Sequence, residues 1–462
     1  MITPEQENQR MIARILGISE EEAAERLNRS VAITAGGGEA AAFATELAAQ
    51  LERTIHVVGP DAMCDFEITV HAPQARAGVA HLPITLHQDR VIIGTASGGQ
   101  CARDLHGVQR VIAACYAAGV VLTRVIEGLA PATPPDPFVV RFDALGATSR
   151  VLSTPLHLAE TVLAGAGAVG NGFLRAARHL DISGTLTVAD PKVVGGGNPN
   201  RCLYFDASDV GRPKAERLCE RAAADFSRLI LVPEVMTFSN IVGRRGSVRR
   251  VIVGTDSRPA RRSIQHDMPL EVLDASTTGA SEVIVHSHRQ PTPDACLACI
   301  YRHIPDEQAR QRAIAEGLGL ALDDVAAGGL IDARVAALIA ARHASLDATA
   351  LVGMAFDSLY KQMCAEQALL TATGEQVLAP FAFVSNLAGA LLALELARFD
   401  SGQRFEDGYN YLFVSPWMPP GARQRRVRPR VPECVFCGDP ATALAWQAIW
   451  PGWAREQTLV CV

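Results

Sequence analysis

The chain has 462 residues, of which 48% are hydrophobic, 20% charged and 5% aromatic. This globular composition excludes a disordered or fibrous chain, and the length suits about two to four domains. A formal net charge of −6 excludes nucleic-acid binding driven by whole-molecule charge, and eleven cysteines scattered over so long a chain exclude a small secreted disulfide framework.

The opening MITPEQENQRMIARILG is polar and charged, without an apolar core and cleavage site, so a cytoplasmic location is expected. Residues 1–28 read as helical, with Ser19 as a cap ahead of acidic residues in the first turn. VAIT (31–34), Gly36-Gly37-Gly38, a helical stretch and TIHVV (54–58) read as strand, glycine turn, helix and strand. A second such unit follows: TVLAG leads into Gly165-Ala-Gly167-Ala-Val-Gly170, then helical NGFLRAARHL and the strand GTLTVAD, ending at Asp190.

RVIIGTAS (90–97) and RVIVGTDS (250–257) share six of eight residues at an offset of 160, and His106 and His266 keep that offset. A duplicated domain is expected from this. The strand TIHVVGP (54–60) also matches TLTVADP (185–191) at its Val and Pro; by these two matches the first copy has Gly59 and Ala96 where the second has Asp190 and Asp256, so one competent nucleotide site and one degenerate partner are expected. A lone glycine motif followed by a strand-end acid fits a nicotinamide dehydrogenase equally well, because both chemistries need a tight turn presenting backbone amides to phosphate.

Further along, Cys296-x-x-Cys299 and Cys434-x-x-Cys437 form two CxxC pairs with the composition of a four-thiolate zinc site. His286 and His288 alternate on a strand just before the first pair and read as supporting or surface residues. Residues 303–375 are rich in Ala, Leu and charged residues at helical spacing and contain one cysteine, Cys364. Cys364 reads two ways: as core beside Met363, Leu369 and Leu370, or as a nucleophile whose thiol Lys361 activates from one helical turn away. The apolar stretch 378–399 contains Ser385, Asn386 and Glu395 and reads as a buried helix, not a membrane span. ARQRRVRPR (422–430) reads as a solvated linker or as a docking strip for an acidic surface.

VADPKVVGGGNPNRCLYFDASDVGRPKAERL resembles the signature of the ThiF/MoeB and ubiquitin-activating enzyme superfamily. In that family a strand-end Asp is followed by Asn, Arg and Gly-x-x-Lys, here Asp190, Asn198, Arg201 and Lys214, and a later Asp handles magnesium, here Asp256. Gly197 departs from the Ser frequent before that Asn. The resemblance covers most of residues 155–300 and the helix near 379–399. It implies an α/β fold of two tandem Rossmann-like adenylation domains, the first degenerate (1–148) and the second active (149–302 and 376–462), forming a pseudo-dimer within one chain. It further implies a helical catalytic-cysteine insertion (303–375) and a zinc clamp of Cys296, Cys299, Cys434 and Cys437.

The implied activity is ATP- and Mg2+-dependent adenylation of the C-terminal carboxylate of a ubiquitin-like protein ending in Gly. A thioester at Cys364 and transfer to a conjugating enzyme would follow. The nucleotide set is Gly165, Gly167, Gly170, Asp190, Asn198, Arg201, Lys214 and Asp256, with Arg10, or its rival Arg14, reaching in from the first half. Only three lysines accompany forty arginines, a bias of GC-rich bacterial genomes, and the fused halves resemble the activating enzymes of bacterial ubiquitin-like antiviral conjugation operons. A sulfur-carrier adenylyltransferase, a nicotinamide-dependent oxidoreductase and a non-catalytic zinc scaffold are the other readings. Neither nucleic acid nor membrane is an expected partner.

Overall fold

The structure is a computed structural model. It describes residues 3–74, 76–94, 105–129, 133–278, 280–290, 292–302, 307–326, 330–344, 346–356, 359–360, 363 and 381–451. Cys364 and Lys361 lie outside these residues.

The strands in chain order are β1 (Ser30–Ala35), β2 (His56–Val58), β3 (Phe66–Val70), β4 (Ala80–Leu86), β5 (Arg90–Ile93) and β6 (Phe138–Arg141). There follow β7 (Leu156–Ala164), β8 (Ile182–Ala189), β9 (Leu229–Glu234), β10 (Arg250–Val253), β11 (Glu271–Thr278), β12 (Glu282–Arg289), β13 (Tyr411–Val414) and β14 (Arg425–Arg426). They form a six-stranded sheet, β2-β1-β3-β4-β5-β6, and an eight-stranded sheet, β14-β13-β12-β11-β10-β7-β8-β9. In each sheet the pairings at one end are parallel, and the remaining strands turn antiparallel from β5 and β12 onward. The strands of the parallel regions are Val-, Ile- and Leu-rich, and the central β3 and β10 are buried at every residue, as burial on both faces requires.

The two sheets share one connectivity, but it is not the one implied by the octets at offset 160. β10 pairs parallel with β7, so its counterpart is β3, which pairs parallel with β1. β5 is flanked by two antiparallel strands, as β12 is. RVIIG (90–94) and RVIVG (250–254) therefore occupy different places. Their likeness reflects what any buried strand leaving through a glycine needs: branched apolar residues, then Gly. His106 caps the start of the Gly107–Val125 helix whereas His266 ends the Arg258–His266 helix, so this pair is not equivalent either. The contrast between halves survives in another form. Only residues 59–65 join β2 to β3, while residues 190–249, including β9, separate β8 from β10.

The main core lies between the sheets. The Glu39–Leu51 and Gly107–Val125 helices of the first half pack there against the Ala168–Ala177 and Ala382–Asp400 helices of the second. Among the described residues, Gly107–Val125 and Ala382–Asp400 are long and apolar enough to cross a membrane, but both are buried in this core. Gly172 and Gly389 allow the close crossing of their helices: a Cβ at Gly172 would sit 2.8 Å from the Asn386 Cα, and one at Gly389 would overlap the Phe173 amide nitrogen. Charge joins the halves as well. Buried Glu46 accepts Arg175 Nε at 2.8 Å and lies 3.5 Å from Arg178 Nη2.

The helical segment after the first CxxC has its own small core of Ile314, Leu318, Val335, Ile339, Phe356 and Met363. It lies against the signature loop, with Leu346, Leu351 and Met354 facing Val194, Gly195 and Val210 across a small cavity. The basic run 422–430 is not a plain linker. Arg425 and Arg426 form edge strand β14 on β13, and Arg425 Nε donates to Ala144 O at 2.8 Å.

Candidate functional site

The site starts where β7 ends. Gly165 has φ +110°, and a Cβ there would meet the Gly254 carbonyl at 2.9 Å; a Cβ at Gly170 would overlap the Gly165 carbonyl oxygen. These two glycines are steric necessities of a turn folded onto the exit of β10. Gly167 has open space around it and precedes the Ala168–Ala177 helix, whose first turn has no side-chain cap. Uncapped amides with room above them suit a phosphate.

Asp190, 6% exposed at the end of β8, ties this turn down. Its Oδ2 accepts the Ala166 amide and its Oδ1 accepts the Lys192 amide, both at 2.9 Å. Asn171, which carries no motif in the sequence, completes the turn from within the helix. Its Nδ2 donates to Ala166 O at 3.1 Å and Gly167 O at 2.9 Å, and its Oδ1 accepts the Tyr204 amide.

The segment 191–214 then folds back over the turn. Asn198 Oδ1 accepts the Gly195 amide at 2.8 Å, closing the glycine-rich loop on itself. Lys192 Nζ lies 3.2 Å from Asp256 Oδ1, so acid and base come from loops 64 residues apart. Asp256 is 59% exposed and lies three residues past the end of β10, while the next residue, Ser257, caps the Arg258–His266 helix. Lys214 opens its own helix and donates its amide to Lys192 O at 2.9 Å. Among the described residues its ammonium makes no hydrogen bond or ion pair. Burial pushes the Cys202 thiol up, against the opposing pull of Arg201 and Lys214, so Cys202 stays protonated beneath the loop.

The first half reaches this site through the Pro4–Leu16 helix, held at its start by the Thr3–Gln6 capping box. Glu7 Oε1 accepts Arg201 Nη1 at 2.8 Å, and Asn200 Nδ2 donates to Asn8 Oδ1 at 3.5 Å. Arg53, also from the first half, donates to Pro199 O at 2.7 Å, Leu203 O at 3.2 Å and Phe205 O at 3.4 Å. Arg10 is placed elsewhere: its Nε pairs with Glu20 Oε2 at 3.5 Å, within the first half. Glu7, Asn8, Arg53 and Asn171 escaped the sequence reading because nothing in a helical carboxylate, amide or arginine marks which loop it will touch.

The four cysteines converge, with all four sulfurs within 4.8 Å of one another. Cys296 lies 3.8 Å from Cys299 and 3.7 Å from Cys434, and Cys299 lies 3.4 Å from Cys437. A tetrahedral ion with Zn–S bonds of about 2.3 Å sets its sulfurs about 3.8 Å apart, so the donor set fits structural zinc. The Val431 amide donates to Cys299 Sγ at 3.3 Å, the support a thiolate needs. His286 and His288 are fully buried rather than on the surface. His286 Nε2 contacts Ala295 O at 2.8 Å, and burial holds both imidazoles below their ordinary range and neutral.

Comparison with known proteins follows the same division. Residues 1–148 match the family model described as the E1 N-terminal domain, and residues 149–435 match that of the ThiF family. An uncharacterized protein, y4jF, of Sinorhizobium fredii (strain NBRC 101917 / NGR234) is 30% identical over 271 residues, 55% of this chain and 51% of its own length. The chain thus spans about half of that curated relative. Solved structures of E. coli MccB with MccA-N7isoASN and with ATP align at 12% identity, with TM-scores of 0.36 and 0.35. They cover 77% and 78% of this chain and 98% of each MccB chain. With the ThiF model matching well over half of its residues, the chain belongs to the ThiF family.

Proposed function

We propose that this chain is an ATP-dependent activating enzyme for a ubiquitin-like protein with a C-terminal glycine, working as a pseudo-dimer of a degenerate and an active half. The observation that carries the reading is the convergence around one loop of an uncapped helix start at Gly167, the Lys192–Asp256 pair, Arg201 and the ammonium of Lys214, unpaired among the described residues. Adenylyltransferase activity is characteristic of ThiF-family members. The carboxylate oxygen of the protein substrate attacks the α-phosphorus of ATP, the α–β phosphoanhydride bond breaks, and pyrophosphate leaves. The chain's work is alignment and charge neutralisation. The amides at Gly167 receive phosphate, Lys214 supplies a mobile point charge and Arg201 a fork. Asp256, an accessible hard oxygen donor, would hold magnesium, which neutralises phosphate charge.

In the second stage the Cys364 thiolate attacks the acyl carbon, AMP leaves, and a thioester forms for transfer to a conjugating enzyme. The helical unit that borders the signature loop and contains Met363 in its core supports this reading. The arginine-rich composition and fused halves favour a bacterial antiviral conjugation system as the setting. The test uses the full chain with a small Gly-terminated protein. ATP–pyrophosphate exchange together with a DTT-sensitive adduct is expected, and Cys364→Ala should abolish the adduct while exchange persists. An adduct surviving in Cys364→Ala removes that residue as nucleophile. Exchange without any adduct in the wild type leaves a sulfur-carrier-type adenylyltransferase, and NAD binding without ATP turnover sinks the reading.

A further inference from the structure

We propose that Glu7, supplied by the first half, is a positioning residue for Arg201: it anchors one terminal nitrogen of the guanidinium and leaves the Nε–Nη2 edge for a phosphate oxyanion. The inference rests on the nucleotide-site reading above and adds a working residue to the half that carries no glycine–acid site of its own.

Three observations support it. First, the bonds of Arg201 are one-sided. Its Nη1 donates to Glu7 Oε1 at 2.8 Å, Asn200 Oδ1 at 2.9 Å and Gly197 O at 3.2 Å, while Nε and Nη2 carry no hydrogen bond among the described residues. Nε and Nη2 form the side-on fork with which arginine binds planar or tetrahedral oxyanions bidentately, and fixing the opposite nitrogen aims that fork. Second, the loop has made room for this carboxylate. A Cβ at Gly197 would overlap Glu7 Oε2, so any other residue there would expel the Glu7 side chain or move the loop. Gly197 has an ordinary right-handed backbone, so conformational freedom does not explain its glycine. Third, the approach of the helix is set by other contacts. Asn8 Nδ2 donates to Arg53 O at 2.6 Å, and Arg53 holds three carbonyls of the 199–205 segment. Glu7 is therefore delivered to Arg201 rather than meeting it as a loose surface pair, and both side chains are about one-fifth exposed, at 18% and 21%.

The test reads ATP affinity twice in the full chain: as KM in pyrophosphate exchange, and as Kd by calorimetry with ATP alone, which needs no protein substrate. Glu7→Ala should raise both roughly tenfold, in the same direction as Arg201→Ala. Glu7→Gln, whose amide oxygen accepts the same N–H, should return both to within about threefold of wild type. Gly197→Ala should reproduce the Glu7→Ala loss by displacing the carboxylate, and the double variant should be no worse than either single. A merely structural role would lower Tm and kcat without this shift and without rescue by Gln. Unchanged or tighter ATP binding in Glu7→Ala overturns the proposal, as do additive losses in the double variant. A wild type that binds ATP but catalyses no exchange overturns only the adenylation reading, and Kd still decides on Glu7. A wild type that binds no ATP overturns both.

Discussion

Lysine is the scarce cation of this chain, and two of its three lysines meet at the signature loop, where the Lys214 amide bonds the Lys192 carbonyl. Apart from Lys361, arginine supplies the chain's other Lys/Arg charges, so what survives as lysine reports a demand for a compact, strongly hydrated charge on a flexible stem. Lys192 already has Asp256 as its partner, whereas Lys214 has none among the described residues. Lys214→Arg should therefore reduce ATP–pyrophosphate exchange at least tenfold, with Tm within about a degree of wild type. Full exchange in that variant would show that the scarcity of lysine is only compositional. Around these side chains Gly165, Gly167, Gly170, Asp190, Asn198, Arg201, Lys214 and Asp256 come together about the turn, while Arg10 rests on Glu20. The spacing of the signature made the local pieces readable. It could not show that Asp190 spends both oxygens on the amides of Ala166 and Lys192, because that depends on where β7 and β8 end in the sheet.

The elements that decide the architecture are the four helices between the sheets. Their apolar composition is plain in the sequence, and residues 381–399 of the stretch expected to be a buried helix are buried. Their closeness was not, since it rests on Gly172 and Gly389, which look like ordinary helix-weakening glycines in one dimension. Gly389→Ala places a Cβ against the Phe173 amide nitrogen and the Gly172 carbonyl carbon, with rigid backbone on the far side. Helix propensity alone favours alanine by about 1 kcal/mol, so the sign of the effect is diagnostic. We expect a net loss of about 1–3 kcal/mol in denaturant unfolding, as for overpacking elsewhere. A gain would mean that the helices separate freely. The strand octets taught the complementary lesson: RVII and RVIV both form strands, as their branched residues require, but one enters an antiparallel and the other a parallel environment.

Across the whole molecule, the contact between halves contains a pH-sensitive point. The His179 imidazole packs against Gly107 at the start of the opposing helix, where a Cβ would overlap the ring. Burial, and then the charges of Arg178 and Arg110, lower its pKa to about 4. The unfolded chain binds this proton near pH 6.5 and the folded chain only near 4, so the contribution is complete above 6.5 and is lost as pH falls toward 4. Between pH 7 and pH 5 that amounts to roughly 2 kcal/mol. Thermal unfolding should show Tm falling over this interval, and His179→Gln should flatten the fall. An equally steep profile in the variant would assign the effect to other groups.

Composition, the glycine turn, the signature spacing and the paired CxxC motifs determined an α/β chain with a glycine turn after β7 and a four-sulfur cluster, because those features depend on backbone sterics and ligand chemistry that act over a few residues. The tertiary structure decided which strands correspond between the halves, that the basic run closes a sheet edge, and that Glu7 rather than Arg10 touches the signature loop. Each of these is a contact between segments distant in sequence. A helix such as Pro4–Leu16 has the same local energetics whichever side chain it turns toward Arg201; only the docking of the two halves selects one.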